Sequence, residues 1–278
     1  MEQRNKYKCW MWPISNKKMT LEIVKYIKQK ININLDLAVV LGSGLSDLHK
    51  ILRNKIIIKY ADIPNFRKTT VKGHDGKFII GSYKGINIIF SLGRFHYYEG
   101  ITIEEVGLPM KIFKELNCKN VILTNSSGCL NKNWQLGDIM LINGHFDFTF
   151  RNSKLNPTLI KDEKIYNKKL INIAKKIKHK TRIGYYGWVL GPMYETKAEI
   201  YNMNNCGVNA VGMSTIPELL TAKKYKIPAI AIALMSNYAV GLTNENLTHN
   251  TVLENSSKYN DNFKLFLIKL ISQIHSVK

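Results

Sequence analysis

The chain has 278 residues, of which 45% are hydrophobic and 10% aromatic. That supplies a packed core and excludes an intrinsically disordered chain. No run nears the ~18 apolar residues of a membrane helix and the first residues hold no apolar secretion core, so a soluble, cytoplasmic protein with no membrane partner is expected. With 41 Lys+Arg against 20 Asp+Glu the net charge is +21, which favours anionic partners. The lysines are scattered along predicted helix surfaces rather than gathered into an arm, which argues against nucleic acid and leaves an anionic small substrate open.

In chain order, residues 1–30 read as an N-terminal extension and helix. Leu37–Leu41 is a buried strand running into Gly42-Ser43-Gly44. Lys77–Ile80 and Ile86–Phe90 form a hairpin about Lys84-Gly85. Apolar spacing predicts a helix over Ile103–Leu116, then strands at Val121–Thr124 and Asp138–Ile142. An amphipathic helix runs from about Glu163 to Ile177. Strands at Ala210–Met213 and Ala229–Met235 flank a helix from Pro217 to Lys224, and Thr251–Ile274 is a closing helix. This alternation predicts one domain over 1–278, an α/β fold of three α/β/α layers about a mixed, largely parallel sheet. The cysteines at 9, 118, 129 and 206 have neither zinc nor redox spacing and read as reduced structural thiols.

In such sheets ligands bind beyond the carboxyl ends of strands, where this chain places polar and glycine clusters. Gly42-Ser43-Gly44 alone is an ordinary turn. With Asn125-Ser126-Ser127-Gly128 and Gly212-Met213-Ser214-Thr215 it supplies hydroxyls and N–H groups suited to an oxyanion. Arg94, in Gly93-Arg94-Phe95-His96, supplies a permanent cation with fork geometry, and His74 and His96 add donors. Glu195 is open to a plain reading as a helix-start acid, Asn237 as a turn residue, and Met213 as a core filler.

These clusters, together with Ile63-Pro64-Asn65-Phe66, Gly73-His74-Asp75-Gly76, Arg94-Phe95-His96-Tyr97-Tyr98-Glu99-Gly100, Leu136-Gly137-Asp138-Ile139-Met140, Gly191–Glu195 and Val211–Thr215, stand in the order found in a known family. The chain resembles the trimeric purine nucleoside phosphorylases acting on 6-oxopurine nucleosides, over roughly residues 35 to 250. The resemblance implies reversible phosphorolysis of inosine or guanosine by a homotrimer, with inorganic phosphate as co-substrate and no cofactor or metal. It implies phosphate at Ser43, His74, Arg94, His96, Ser126 and Ser214, ribose at Tyr98, Met213 and His249, and purine at Tyr194, Glu195 and Asn237. His96, Glu195 and Asn237 would act in catalysis. Within the enzymes the alternatives are a methylthioadenosine or xanthosine phosphorylase; from another class, a basic nucleic-acid-binding protein. Three departures stand out: the family's usual Asn-Ala-Ala-Gly is Asn125-Ser126-Ser127-Gly128, Tyr194 replaces a phenylalanine, and the loop beyond Asn143 is shortened. That loop carries the aromatic which covers a neighbouring subunit's ribose, leaving Phe146, Phe148 and Phe150 as candidates.

Overall fold

The structure, a computed structural model, describes residues 17–69, 76–151, 156–177, 180–243 and 249–276, with side chains of the last helix from 257 to 274. Its strands are β1 (Leu37–Leu41), β2 (Arg53–Lys59), β3 (Lys77–Tyr83), β4 (Ile86–Leu92), β5 (Asn120–Cys129), β6 (Ile139–Asp147), β7 (Thr181–Trp188), β8 (Ala210–Gly212) and β9 (Ala229–Tyr238). The helices are α1 (Lys17–Lys30), α2 (Ile103–Val106), α3 (Leu108–Glu115), α4 (Lys168–Lys176), α5 (Lys197–Asn205), α6 (Ile216–Lys224) and α7 (His249–Ser276).

All nine strands share one mixed sheet in the order β2-β3-β4-β1-β5-β8-β7-β6-β9, and β9 returns to pair with β5. β1 is buried at every position and lies between parallel neighbours β4 and β5, as expected of an apolar strand covered on both faces. β2 is the outer strand on that side. Its arginine and lysines are exposed, a charged edge that discourages pairing with another chain. Beyond β5 the strands close on themselves through an antiparallel β6–β9 pair and parallel β6–β7 and β7–β8 pairs. Helices α1, α2, α3 and α6 pack among themselves, α4 packs with α7, and α4, α6 and α7 all reach β9.

Several elements differ from the sequence reading. The helix expected over Ile103–Leu116 is broken at Gly107, where any Cβ would collide with the Thr221 side chain of α6. Thr102 and Glu105 cap the first piece reciprocally, and Pro109 opens the second, where its missing N–H costs nothing. The helix expected from Glu163 begins only at Lys168, capped by Asn167. β2 and β7 were not anticipated. Asn125–Gly128 is not a loop after a strand but the second half of β5, and Asn237 likewise lies within β9.

Candidate active site

Where β5 changes partners, the sheet opens. β9 pairs with β5 from Val121 to Cys129 along one edge. On the other edge β1 pairs only as far as Leu123, and β8 takes over at Gly128. The stretch Thr124–Ser127 therefore has no strand beside it on that edge. The Thr124 hydroxyl terminates β1 by accepting from the Gly42 amide (2.9 Å) and donating to the Val40 carbonyl (2.9 Å). Gly42 lies so close that a Cβ there would stand 2.9 Å from the Thr124 oxygen and the Asn125 Cα. Only glycine brings Ser43 this near the opening.

Arg94 enters the same opening from the loop after β4 and is 3% exposed. Its Nη1 donates to the Thr124 carbonyl at 2.9 Å, one of the backbone groups left without a strand partner. Its Nε sits between both carboxylate oxygens of Glu218, at 3.1 and 3.0 Å. Glu218 is 1% exposed, in the first turn of α6. Among the described residues only Nη2 has no partner, so the cation expected at this place is largely occupied and offers one donor nitrogen to an anion. A desolvated pair of this kind is costly to break by removing one member. Near it His96 is oriented by Glu99, whose carboxylate accepts from the His96 amide (2.6 Å) and faces Nδ1 (3.3 Å).

The remaining predicted residues gather beside these loops. His96 and Tyr98 stack at 4.9 Å with an interplanar angle of 15°. Gly191, in a left-handed conformation at φ 77°, is wedged between Met213 and Tyr98 and leaves no space for a side chain. Burial pushes the Tyr98 hydroxyl up to about 12 and raises that of Tyr194 as well. Glu195 is 9% exposed, and its burial, with Glu199 adding repulsion, raises its carboxyl above the ordinary value. The plain reading of Glu195 as the acid that starts a helix is not what the geometry shows. α5 begins at Lys197, and Thr196 and Glu199 form its complete capping box. Asn237 faces Gly128 across the β5–β9 pair; its Oδ1 accepts from Ser236 and its Nδ2 donates to the Tyr238 carbonyl.

Ser43, Arg94, His96, Ser126 and Ser214 thus come to one edge of the opening, with Tyr98, Met213, Tyr194, Glu195 and Asn237 adjoining. His74 and the His249 side chain lie outside the described residues. Of the aromatic candidates, Phe146 and Phe148 are buried in a small core with Leu130 and Val211, while Phe150 is 59% exposed. Sequence reasoning missed Glu218, Thr124 and Tyr186, and gave Thr215 no role beyond membership of its loop. Tyr186 is fully buried on β7, its hydroxyl against Gly212 and close to Ser127, and has no aligned partner among the described residues. Burial raises Cys129 to about 11, which makes it an inert thiol. Among the described residues no group of His, Cys, Asp and Glu side chains suits a metal ion.

Residues 36–272 match the family model described as the phosphorylase superfamily. Purine nucleoside phosphorylase 1 of Bacillus subtilis is 35% identical over 257 residues, covering 88% of this chain and 94% of that protein. The mouse purine nucleoside phosphorylase is 32% identical, covering 78% of this chain and 80% of its own length. Among solved structures, Schistosoma mansoni purine nucleoside phosphorylase in complex with inosine superposes with a TM-score of 0.82 at 28% identity, over 92% of this chain and 96% of that one. Isoform 2 from the same organism, with cytosine and ribose-1-phosphate, gives 0.83 at 29% over 94% and 98%.

Proposed function

The chain belongs to the purine nucleoside phosphorylase family, whose members are pentosyltransferases, and on that premise we propose that its substrates are 6-oxopurine nucleosides such as inosine and guanosine. Phosphate occupies the opening beside Thr124–Ser127, held by Ser43, Arg94 Nη2, His96, Ser126 and Ser214, with His74 completing the set. Tyr98, Met213 and His249 hold the ribose. Tyr194 stacks on the base, and Glu195 and Asn237 take its polar edge.

Bond breaking sends the glycosidic electron pair into the purine and leaves a cationic ribosyl group. A phosphate oxygen then forms the new bond to C1′, giving ribose 1-phosphate. Such a reaction needs positioning and fixed charges more than a protein nucleophile. Asn237 meets charge that accumulates at N7 and O6 of the leaving base, so its contact strengthens as the bond breaks.

The observation that carries the base assignment is Glu195. It is a buried carboxylate that no helix cap uses, which suits it to accept from N1–H of a 6-oxopurine. Adenine has no proton there and leaves the acceptor unpaired, a mismatch that sites of this type reject by ~10⁴ or more. A methylthioadenosine phosphorylase would call for aspartate at 237 and a small apolar residue at 249, where this chain has asparagine and histidine. Incubation with phosphate and, separately, inosine, guanosine, xanthosine and adenosine tests the reading. Base release from inosine and guanosine, dependent on phosphate, is expected; release from adenosine alone, or from none, overturns it. Filter binding of duplex DNA at two salt concentrations separates the nucleic-acid alternative, because backbone contacts weaken steeply with salt.

The working form is proposed to be a homotrimer. The exposed Phe150 supports it: Phe146 and Phe148 are buried in their own chain, whereas Phe150 meets Phe148 edge-on and leaves most of its ring open.

A further inference from the structure

Ser43 stands in a turn that is gripped on both sides. Before it, the Gly42 amide donates to Thr124 Oγ1 at 2.9 Å, and the Gly42 carbonyl accepts from the Leu45 amide at 3.2 Å. After it, Gly44 takes φ 78°, the sign that the third position of a type II turn needs. Two glycines about one serine leave the backbone wide freedom, so the shape of the turn depends on what holds Gly44. That hold comes from α7, 216 residues further along: Asn260 Nδ2 donates to the Gly44 carbonyl at 2.8 Å. The amide lies so close that Gly44 has no room for a Cβ.

Asparagine is a costly choice at this place. Asn260 is 5% exposed and shares its helix face with the buried Phe263, Leu267, Leu270 and Ile274. Its Oδ1 is buried with no partner among the described residues, a standing loss that an apolar side chain would avoid. What asparagine adds is the N–H that reaches Gly44. Of the two partners α7 is the firmer. Its apolar face packs on β9 and α4, and Tyr259, next to Asn260, lies close against Gly137 before β6. The helix therefore holds the turn, and not the turn the helix. The sequence reading included Asn260 only as one residue of a closing helix.

We propose that Asn260 is a positioning residue for phosphate binding. It fixes the peptide that follows Gly44 as Thr124 fixes the one that precedes Gly42, and so holds Ser43 in place for the anion. The proposal rests on Ser43 being a phosphate contact in the proposed function.

The test is calorimetric titration of the full-length chain with inorganic phosphate, joined to initial rates against phosphate and against inosine. Asn260→Leu removes the donor at similar size, and Asn260→Asp removes it while keeping the shape. Each should weaken phosphate binding about fivefold, the scale of one hydrogen bond. KM for phosphate should rise in parallel while KM for inosine stays put, a split that a general loss of structure would not produce. In a Ser43→Ala chain, Asn260→Leu should cost less than about twofold more, since residues acting as one unit are not additive. The proposal is overturned if both variants bind phosphate as the unaltered chain does, or if the losses from Asn260→Leu and Ser43→Ala multiply independently. Failure of both variants to fold overturns it too, by making Asn260 a stability residue alone. An unaltered chain that binds no phosphate overturns the proposed function and this role together; one that binds it, with variants unchanged, overturns this role alone.

Discussion

At Glu195 burial and function pull the same group in opposite directions. The carboxyl must be ionised to accept from a purine N–H, yet burial raises its proton affinity. The protonated, inactive form therefore persists to higher pH than for an exposed glutamate, and the acid limb of kcat/KM for inosine should lie above the ordinary carboxylate range. Glu195→Gln replaces the acceptor with an amide that also donates. It should lower inosine kcat/KM by on the order of 10² or more and narrow the inosine-to-adenosine ratio, with phosphate affinity little changed. An unchanged ratio with a slightly lower Tm would return Glu195 to a purely local role. Arg94 was visible in the sequence because an arginine between glycine and histidine after a strand is conspicuous. Its partner Glu218 was not, since an acid in a first helical turn looks like a dipole complement, and the two stand 124 residues apart.

Among the elements, small residues misled most. Asn125-Ser126-Ser127-Gly128 carries turn-forming residue types, yet it is strand. At Gly128, where β8 and β9 flank the strand on both edges, a Cβ would stand 3.2 Å from Val211. β7 was hidden for the same reason, its glycines breaking the alternation that marks a strand. Strongly apolar β1 and β9 and the periodic α7 were plain, because burial on both faces and a long 3.6-residue repeat leave little else for them to be. The break between α2 and α3 makes its own prediction. Gly107 has an ordinary right-handed conformation, so alanine would raise helix propensity, but its methyl would strike Thr221. Gly107→Ala should therefore destabilise by about 1–3 kcal/mol, the usual range for overpacking. Combined with Thr221→Ala, the loss of Tm should be less than the sum of the two.

On β6, His145 is buried and bonded to Tyr166 at 2.5 Å, and desolvation lowers its pKa from 6.5 to about 4. The folded chain thus refuses a proton that the unfolded chain accepts below pH 6.5. Stability is complete above that pH and drains away as pH falls toward 4, by about 2–3 kcal/mol from this residue. Urea unfolding at about pH 7 and pH 4.5 should show that much smaller a decline for His145→Gln than for the unaltered chain.

For the whole molecule, the exposed ring of Phe150 bears on assembly. If it reaches a neighbouring subunit, Phe150→Ala should raise KM for inosine severalfold, leave phosphate binding alone, and weaken the trimer in sedimentation. A change confined to thermal stability would argue against a shared site.

The partner exchange along β5 has a further consequence. Among the described strands, β5 alone joins the group β2-β3-β4-β1 to the closed group of β6, β7, β8 and β9. An anion in the opening would be gripped by Ser43 and Arg94 from the first group and by Ser214 from the second. It would act as a rivet across a seam that hydrogen bonding leaves unstitched. Phosphate should therefore slow amide exchange on both sides of β5 together, rather than only in the loops it touches. At a hundred times its Kd it should add about 2.7 kcal/mol to global stability. Protection confined to one side would mean that the two halves breathe independently even with the substrate in place.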